Sequence, residues 1–307
     1  MSSVPRSTAR LAAGAAAAAL LAGCGAVTGA DSGQGREVVG SFYPLAWVTD
    51  RVAGDRWEVS NLTSPGGEPH ELELSIDATA TLAGSDLVVY LEGFQPAVDE
   101  AVGTTVEGET LDAAEVVDLQ EPAEHAGEAG HSHETGSLDP HFWQDPTRMA
   151  RLADAVAEEL GRLDRANADV YRDNAEQLGA ELEALDREYA DGLEGCERDV
   201  VVVSHDAFGY LARYGVRLQP IAGLTPDAEP TPAALAELGE LIRDEGITTV
   251  FSERLASPAM AETLASDLGI DTGVLDPVEG LTDQTADEDY LSLMRANLAA
   301  LQEANGC

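Results

Sequence analysis

Asp86-Leu87-Val88-Val89-Tyr90-Leu91 is an apolar run without alternation, opened by an acid, and it is the stretch on which the fold turns. A strand wetted on one face alternates apolar and polar residues. A run with no alternation fits a strand covered on both faces, as in a parallel sheet. Asp199-Val200-Val201-Val202-Val203-Ser204 reads as a second such strand. Around these two, segments 37–42, 56–62, 115–119, 217–221, 248–252 and 272–275 read as further strands. Helical stretches at 44–53, 75–82, 147–163, 207–214, 231–245, 258–268 and 287–304 lie between them, with Ser75 placed as an N-cap. This alternation predicts an α/β fold with mainly parallel sheets flanked by helices.

A longer helical stretch starts at Asp164. Its apolar positions Ala166, Val170, Ala175, Leu178, Leu182, Leu185 and Tyr189 recur at steps of three to five, which describes one buried face. At 1.5 Å per residue about 26 residues span ~40 Å, the length of a domain. The expectation is therefore two lobes, 37–163 and 193–307, joined by a connecting helix over 164–192. A chain of 307 residues fits two such units.

Composition narrows the function classes. There are 57 acidic residues against 17 basic ones, every basic residue is arginine, and the net charge is −40. Such a field repels nucleic acid. It suits solubility in a salty or extracellular medium, and a diffuse acidic surface is not itself a site. Arg6 and Arg10 precede the apolar run 11–21, too short to span a bilayer, and small residues follow. Residues 1–23 therefore read as a secretory signal. Leu21-Ala22-Gly23-Cys24 is the pattern of a bacterial lipobox, which makes Cys24 the expected lipidated residue at the outer face of the cell membrane. Residues 24–36, rich in Gly and Ser, then read as a flexible tether. In an exported chain the two remaining cysteines, Cys196 and Cys307, are expected to form a disulfide.

Six histidines are present, and three of them, His125, His131 and His133, fall in the low-complexity loop 121–137. That loop is either an auxiliary metal-gathering segment or a solvated linker. The other three, His70, His141 and His205, all sit at loops or strand ends. Ligands collect beyond the carboxyl ends of the strands in open α/β sheets. His141 lies in Leu138-Asp139-Pro140-His141-Phe142-Trp143-Gln144-Asp145-Pro146, where two Asp-Pro corners stiffen the backbone on either side of the imidazole. Three imidazoles and one carboxylate make a closed tetrahedral set for zinc. Asp276, in Leu275-Asp276-Pro277, is the expected fourth ligand and Glu253 its competitor. Asp139 and Asp206 are candidate acceptors for ligand imidazoles, with helix capping the other reading for Asp206.

Gly67-Glu68-Pro69-His70, Asp139-Pro140-His141-Phe142-Trp143-Gln144-Asp145-Pro146, Ser204-His205-Asp206-Ala207-Phe208-Gly209-Tyr210-Leu211 and Leu275-Asp276-Pro277 occur in this order along the chain. Together with Ser41-Phe42-Tyr43-Pro44 they resemble the metal-binding lipoproteins of bacterial zinc and manganese ABC importers, the ZnuA/TroA type of cluster A-I. The resemblance implies two α/β lobes joined by one long helix, with Zn²⁺ held in the cleft as transported ligand. It also implies a monomeric receptor that hands the ion to a membrane permease and catalyses nothing. Histidine at position 205 goes with the zinc type, whereas glutamate there goes with Mn²⁺, in keeping with ligand chemistry. The chain departs from the family pattern in lacking a proline before Ser75 and in its short histidine loop. A manganese or iron receptor of the same build, an adhesin on the same fold and an exported zinc hydrolase are the other readings. The hydrolase would need an open metal position and a base, and no H-E-x-x-H is present.

Overall fold

A computed structural model describes residues 36–122, 138–226 and 229–307. The first part of the chain runs β1 (Glu37–Gly40), α1 (Tyr43–Ala53), β2 (Glu58–Asn61), α2 (Ile76–Gly84), β3 (Leu87–Tyr90), α3 (Pro96–Thr104), β4 (Glu109–Asp112) and α4 (Ala114–Val117). A 3-10 turn at Phe142–Gln144 leads into α5 (Pro146–Leu163) and the long α6 (Ala168–Gly192). Then follow β5 (Val200–Val203), β6 (Arg217–Pro220), α7 (Pro232–Glu245), β7 (Thr249–Ser252), α8 (Ala259–Leu268), β8 (Asp271–Val274) and α9 (Tyr290–Asn305).

Among the described residues the strands form two four-stranded sheets, β2-β1-β3-β4 and β6-β5-β7-β8, parallel throughout. Both are laid down in the same order: a central strand, its neighbour on one side, then a crossover to the other side. Loops leaving the carboxyl ends of β1 and β3, and of β5 and β7, therefore diverge and leave a crevice at each switch point. The unbroken apolar runs occupy these central places. Val38, Val39, Leu87, Val88 and Val89 are fully buried, and none of the four valines of β5 is more than 5% exposed. Gly40 closes β1 against α1: a Cβ there would lie 2.4 Å from the Ala46 backbone nitrogen.

Local chemistry fixes the helix starts. Ser75 Oγ accepts from the Ala78 N–H at 3.1 Å, as predicted. Asp145 accepts from the Thr147 N–H at 2.9 Å, with Pro146 at the first helical position. Asp289 and Ser292 cap each other's backbone at the head of α9. One continuous core runs through both halves, from Val38 and Leu87 through Leu152, Leu178 and Leu182 to Val201, Phe251 and Leu301. Helix α6 is its spine, packing on α1 and α5 of one lobe and on α9 of the other.

Several sequence expectations change. The strand placed at 115–119 is the short helix α4; the strand of this region is β4, an edge strand whose Glu109 and Thr110 are exposed and polar, which hides it from hydrophobic patterning. Helix α3, opened by Pro96, falls where the sequence expectation has no element. The helix placed at 207–214 shrinks to a 3-10 turn over Gly209–Tyr214, closed by Gly215 at φ 84°. The long helix begins at Ala168 rather than at Asp164. Asp164 instead ends α5, where it accepts from Asn167 Nδ2 at 2.6 Å and Tyr171 Oη at 2.8 Å and pairs with Arg36. Tyr171 faces the core in place of Val170, and Ala166 is exposed. Cys196 and Cys307 form a disulfide, with Cα atoms 4.1 Å apart. No helix among the described residues is long and apolar enough to cross a membrane.

Candidate metal site

Each of the three histidines outside the low-complexity loop is delivered by a braced turn. His70 follows Glu68, whose carboxylate accepts from the His70 and Glu71 N–H groups at 3.2 Å each. Gln95 holds the same turn by donating Nε2–H to the Pro69 carbonyl at 3.2 Å. His141 sits between its Asp-Pro corners, where Asp139 Oδ1 accepts from the His141 N–H at 3.0 Å and lies 2.8 Å from Nδ1. His205 leaves β5 and Glu253 leaves β7, so the two flank the switch point of the second sheet. Glu253 Oε1 lies 2.6 Å from His205 Nδ1. A carboxylate only accepts, so in both histidines Nδ1 carries a proton and the lone pair of neutral imidazole is left on Nε2.

Those Nε2 atoms converge. His70, His141 and His205 place Nε2 at 3.5, 3.4 and 3.5 Å from one oxygen, Glu279 Oε1. The four ligand atoms lie within 4.8 Å of one another. All four are buried and have no hydrogen-bond partner. Four orphaned polar atoms in one buried spot are costly unless something joins them. Ligand atoms around a tetrahedral zinc, with bonds of about 2.0–2.1 Å, stand ~3.3–3.4 Å apart. The distances to Glu279 are close to that edge, and the other pairs, all within 4.8 Å, would close in to complete the set.

The electrostatics favour protonated imidazoles around an ionised carboxylate. Burial opposes charge on His141, but Asp139 and Glu279 outweigh it and push the imidazole up to about 8. Burial likewise opposes charge on His205, and Glu253 with Glu279 overrides it, to about 10. Burial would raise the carboxyl of Glu279, yet its three imidazole neighbours hold it well below the usual carboxylate range. The His70 side chain is 8% exposed, whereas those of His141 and His205 are fully buried. A cavity of about 610 Å³, walled by Gly93, Phe94, Leu119, Leu138, Pro140 and Leu224, borders His70.

Of the residues singled out in the sequence, the three histidines come together and Asp276 does not join them. Its Oδ1 accepts from the Val278 N–H at 2.8 Å, and Oδ2 faces Arg254 Nε at 3.1 Å. Asp276 shapes the turn, and Glu279, three residues on in Asp276-Pro277-Val278-Glu279, supplies the carboxylate. Glu253 is not in the group either, being spent on His205 Nδ1. Asp139 is the imidazole acceptor expected of it, while Asp206 donates its N–H to the Gly223 carbonyl at 2.9 Å. His125, His131, His133 and Cys24 lie outside the described residues. The sequence did carry one sign of Glu279, a second acid on the turn that leaves β8, but strand-end position favoured the nearer one.

A two-lobed, parallel α/β frame with imidazoles and a carboxylate gathered between its halves defines a solute-binding protein with a cation-sized site. Residues 38–304 match the family model described as zinc-uptake complex component A, periplasmic (ZnuA), and the chain belongs to that family. It is 33% identical to the high-affinity zinc uptake system protein ZnuA of Bacillus subtilis, over 93% of each chain. It is 37% identical to the zinc-binding lipoprotein AdcA of Streptococcus pneumoniae serotype 4 over 87% of its own length, but spans only 55% of that relative. The crystal structure of the Zn(II)-bound ZnuA-like domain of S. pneumoniae AdcA superposes with TM-score 0.73 at 33% identity, covering 89% of this chain and 99% of that one. A mutant structure of the laminin-binding adhesin Lmb of Streptococcus agalactiae gives TM-score 0.78 at 29% identity, covering 88% and 100%.

Proposed function

We propose that this protein is an extracytoplasmic receptor that captures Zn²⁺ on His70, His141, His205 and Glu279 and delivers it to an ABC permease for uptake. One observation carries the reading: three buried Nε2 atoms stand 3.4–3.5 Å from a single glutamate oxygen, and none of the four atoms makes a hydrogen bond. Three nitrogens and one oxygen favour zinc over manganese, which prefers oxygen-rich shells. Four protein ligands leave no open position for an activated water, so the ion is cargo and the chain is a receptor rather than an enzyme. The names of the relatives point the same way. In this reading Cys24 is the lipid anchor on the outer face of the cell membrane, the chain works as a monomer, and residues 37–163 and 193–307 are the lobes joined by 164–192.

Native mass spectrometry of the folded protein tests it. The expected result is one zinc per chain, retained in competition with manganese at matched free concentrations and lost in His205→Ala. A preference for manganese, or zinc bound equally well by His205→Ala, would overturn it.

A further inference from the structure

The turn that presents Glu279 is held from the opposite lobe. Trp143 Nε1–H donates to the Pro277 carbonyl at 2.7 Å, and Gln144 Nε2–H donates to the same oxygen at 2.6 Å. The two donors are the second and third residues after His141 in the chain, and both are fully buried. In return, Tyr290 at the head of α9 donates its hydroxyl to the Trp143 carbonyl at 2.5 Å. Inside its own lobe the turn is fixed by Asn297, which accepts from the Asp276 N–H at 2.8 Å and donates to the Asp276 carbonyl at 2.6 Å.

The turn needs this support. Val278, between Pro277 and Glu279, has φ 60°, a left-handed conformation that a β-branched residue resists, and it is fully buried. Such a conformation persists only where the surroundings over-determine it. Released, Val278 would return to extended backbone and swing the next side chain, Glu279, away from the imidazoles.

We infer that Trp143 and Gln144 are positioning residues that latch the Glu279 turn to the His141 loop, so that ligands from opposite lobes are set as one unit. The inference deepens the receptor reading and rests on it. A carbonyl gripped by two donors from the other lobe keeps the separation of His141 and Glu279 fixed before any cation arrives. The latch then acts by preorganisation rather than by contact with the ion.

The test uses Trp143→Phe, which removes the indole donor and keeps a ring, and Gln144→Ala, alone and combined. Two quantities are read on the whole protein. The first is amide hydrogen exchange in the metal-free state. The expected result is faster exchange at Val278 and Glu279 in the double variant, by tenfold or more, with β5 and α6 unchanged. The second is zinc affinity with the Co²⁺ absorption spectrum. Affinity is expected to fall ~10–100-fold in the double variant, and the tetrahedral Co²⁺ bands to weaken. Unchanged exchange at Val278 and Glu279, or wild-type affinity and Co²⁺ bands in the double variant, would overturn the latch. Equal acceleration of exchange across β5 and α6 would also overturn it, by showing a general packing role. Failure of the wild type to bind zinc would sink the receptor reading, while the exchange arm would still judge the latch.

Discussion

His205 Nδ1 stands 2.6 Å from Glu253 Oε1, a hydrogen bond joining the loops that leave the two central strands of the second sheet. It fixes which imidazole nitrogen faces the cleft, and it does so at the place where the fold itself opens a crevice. A parallel sheet laid down in the order β6-β5-β7-β8 sends these loops apart, and His205 and Glu253 span the gap.

Removing the acceptor frees the ring to rotate and to change tautomer. Glu253→Ala is expected to bind zinc ~10–100-fold more weakly than the wild type, measured by competition with a chromophoric chelator. Wild-type affinity in this variant would show that the bond does not orient His205.

Asp276 and Glu279 lie three residues apart, and Glu279 stands with the three imidazoles while Asp276 accepts from the Val278 N–H. If zinc binding releases ~10–16 kcal/mol over four ligands, one ligand is worth ~2.5–4 kcal/mol, or roughly 10²–10³ in affinity. Glu279→Ala is expected to lose that much. Asp276→Asn can still accept from the Val278 N–H and is expected to stay within a few-fold of the wild type. The reverse ranking in the same assay would make Asp276 the ligand.

Zinc needs neutral imidazole, whereas metal-free His141 and His205 are pushed up to about 8 and about 10. Both are therefore protonated at neutral pH, and binding expels about two protons per zinc. Affinity should fall as pH drops below about 8, by up to ~100-fold per pH unit. For the metal-free protein the sign is opposite. Raised imidazoles stabilise the fold at pH below the ordinary histidine range, and that contribution fades as pH rises through about 8 to about 10. Calorimetric titration in buffers of different ionisation heat reads the protons directly. A binding heat that does not depend on the buffer would contradict this.

The Cys196–Cys307 disulfide joins residues 111 apart, tying the end of α9 to the segment just before β5. It lies at the amino end of the second sheet, whereas the candidate site lies beyond the carboxyl ends. Replacing both cysteines by serine should cost ~2–5 kcal/mol of stability in a denaturant titration. Zinc affinity should be unchanged. A matching fall in affinity would show that the two ends of the lobe are coupled.

The parts that could be read in advance were those with strong local signals. The apolar runs at 86–91 and 199–204, the Ser75 cap and the buried face of α6 from Ala175 to Tyr189 hold in three dimensions, because each is decided by burial or by one hydrogen bond. Edge strand β4 escaped because exposed Glu109 and Thr110 carry no apolar pattern. The three histidines were legible because each stands at a stiff turn or strand end. Glu279 was not, because its place depends on the left-handed Val278, which reverses the side-chain direction that an extended chain would give. The turn is bonded locally through Asp276 and from a distance through Trp143, Gln144 and Asn297, and the distant partners cannot be read from the local sequence.

A crystal structure of the zinc-loaded protein, with the ion located by its anomalous scattering, is the most direct test. One ion should lie ~2.0–2.1 Å from Nε2 of His70, His141 and His205 and from a carboxylate oxygen of Glu279. An ion held elsewhere, or a shell completed by Asp276 with Glu279 turned away, would contradict the account.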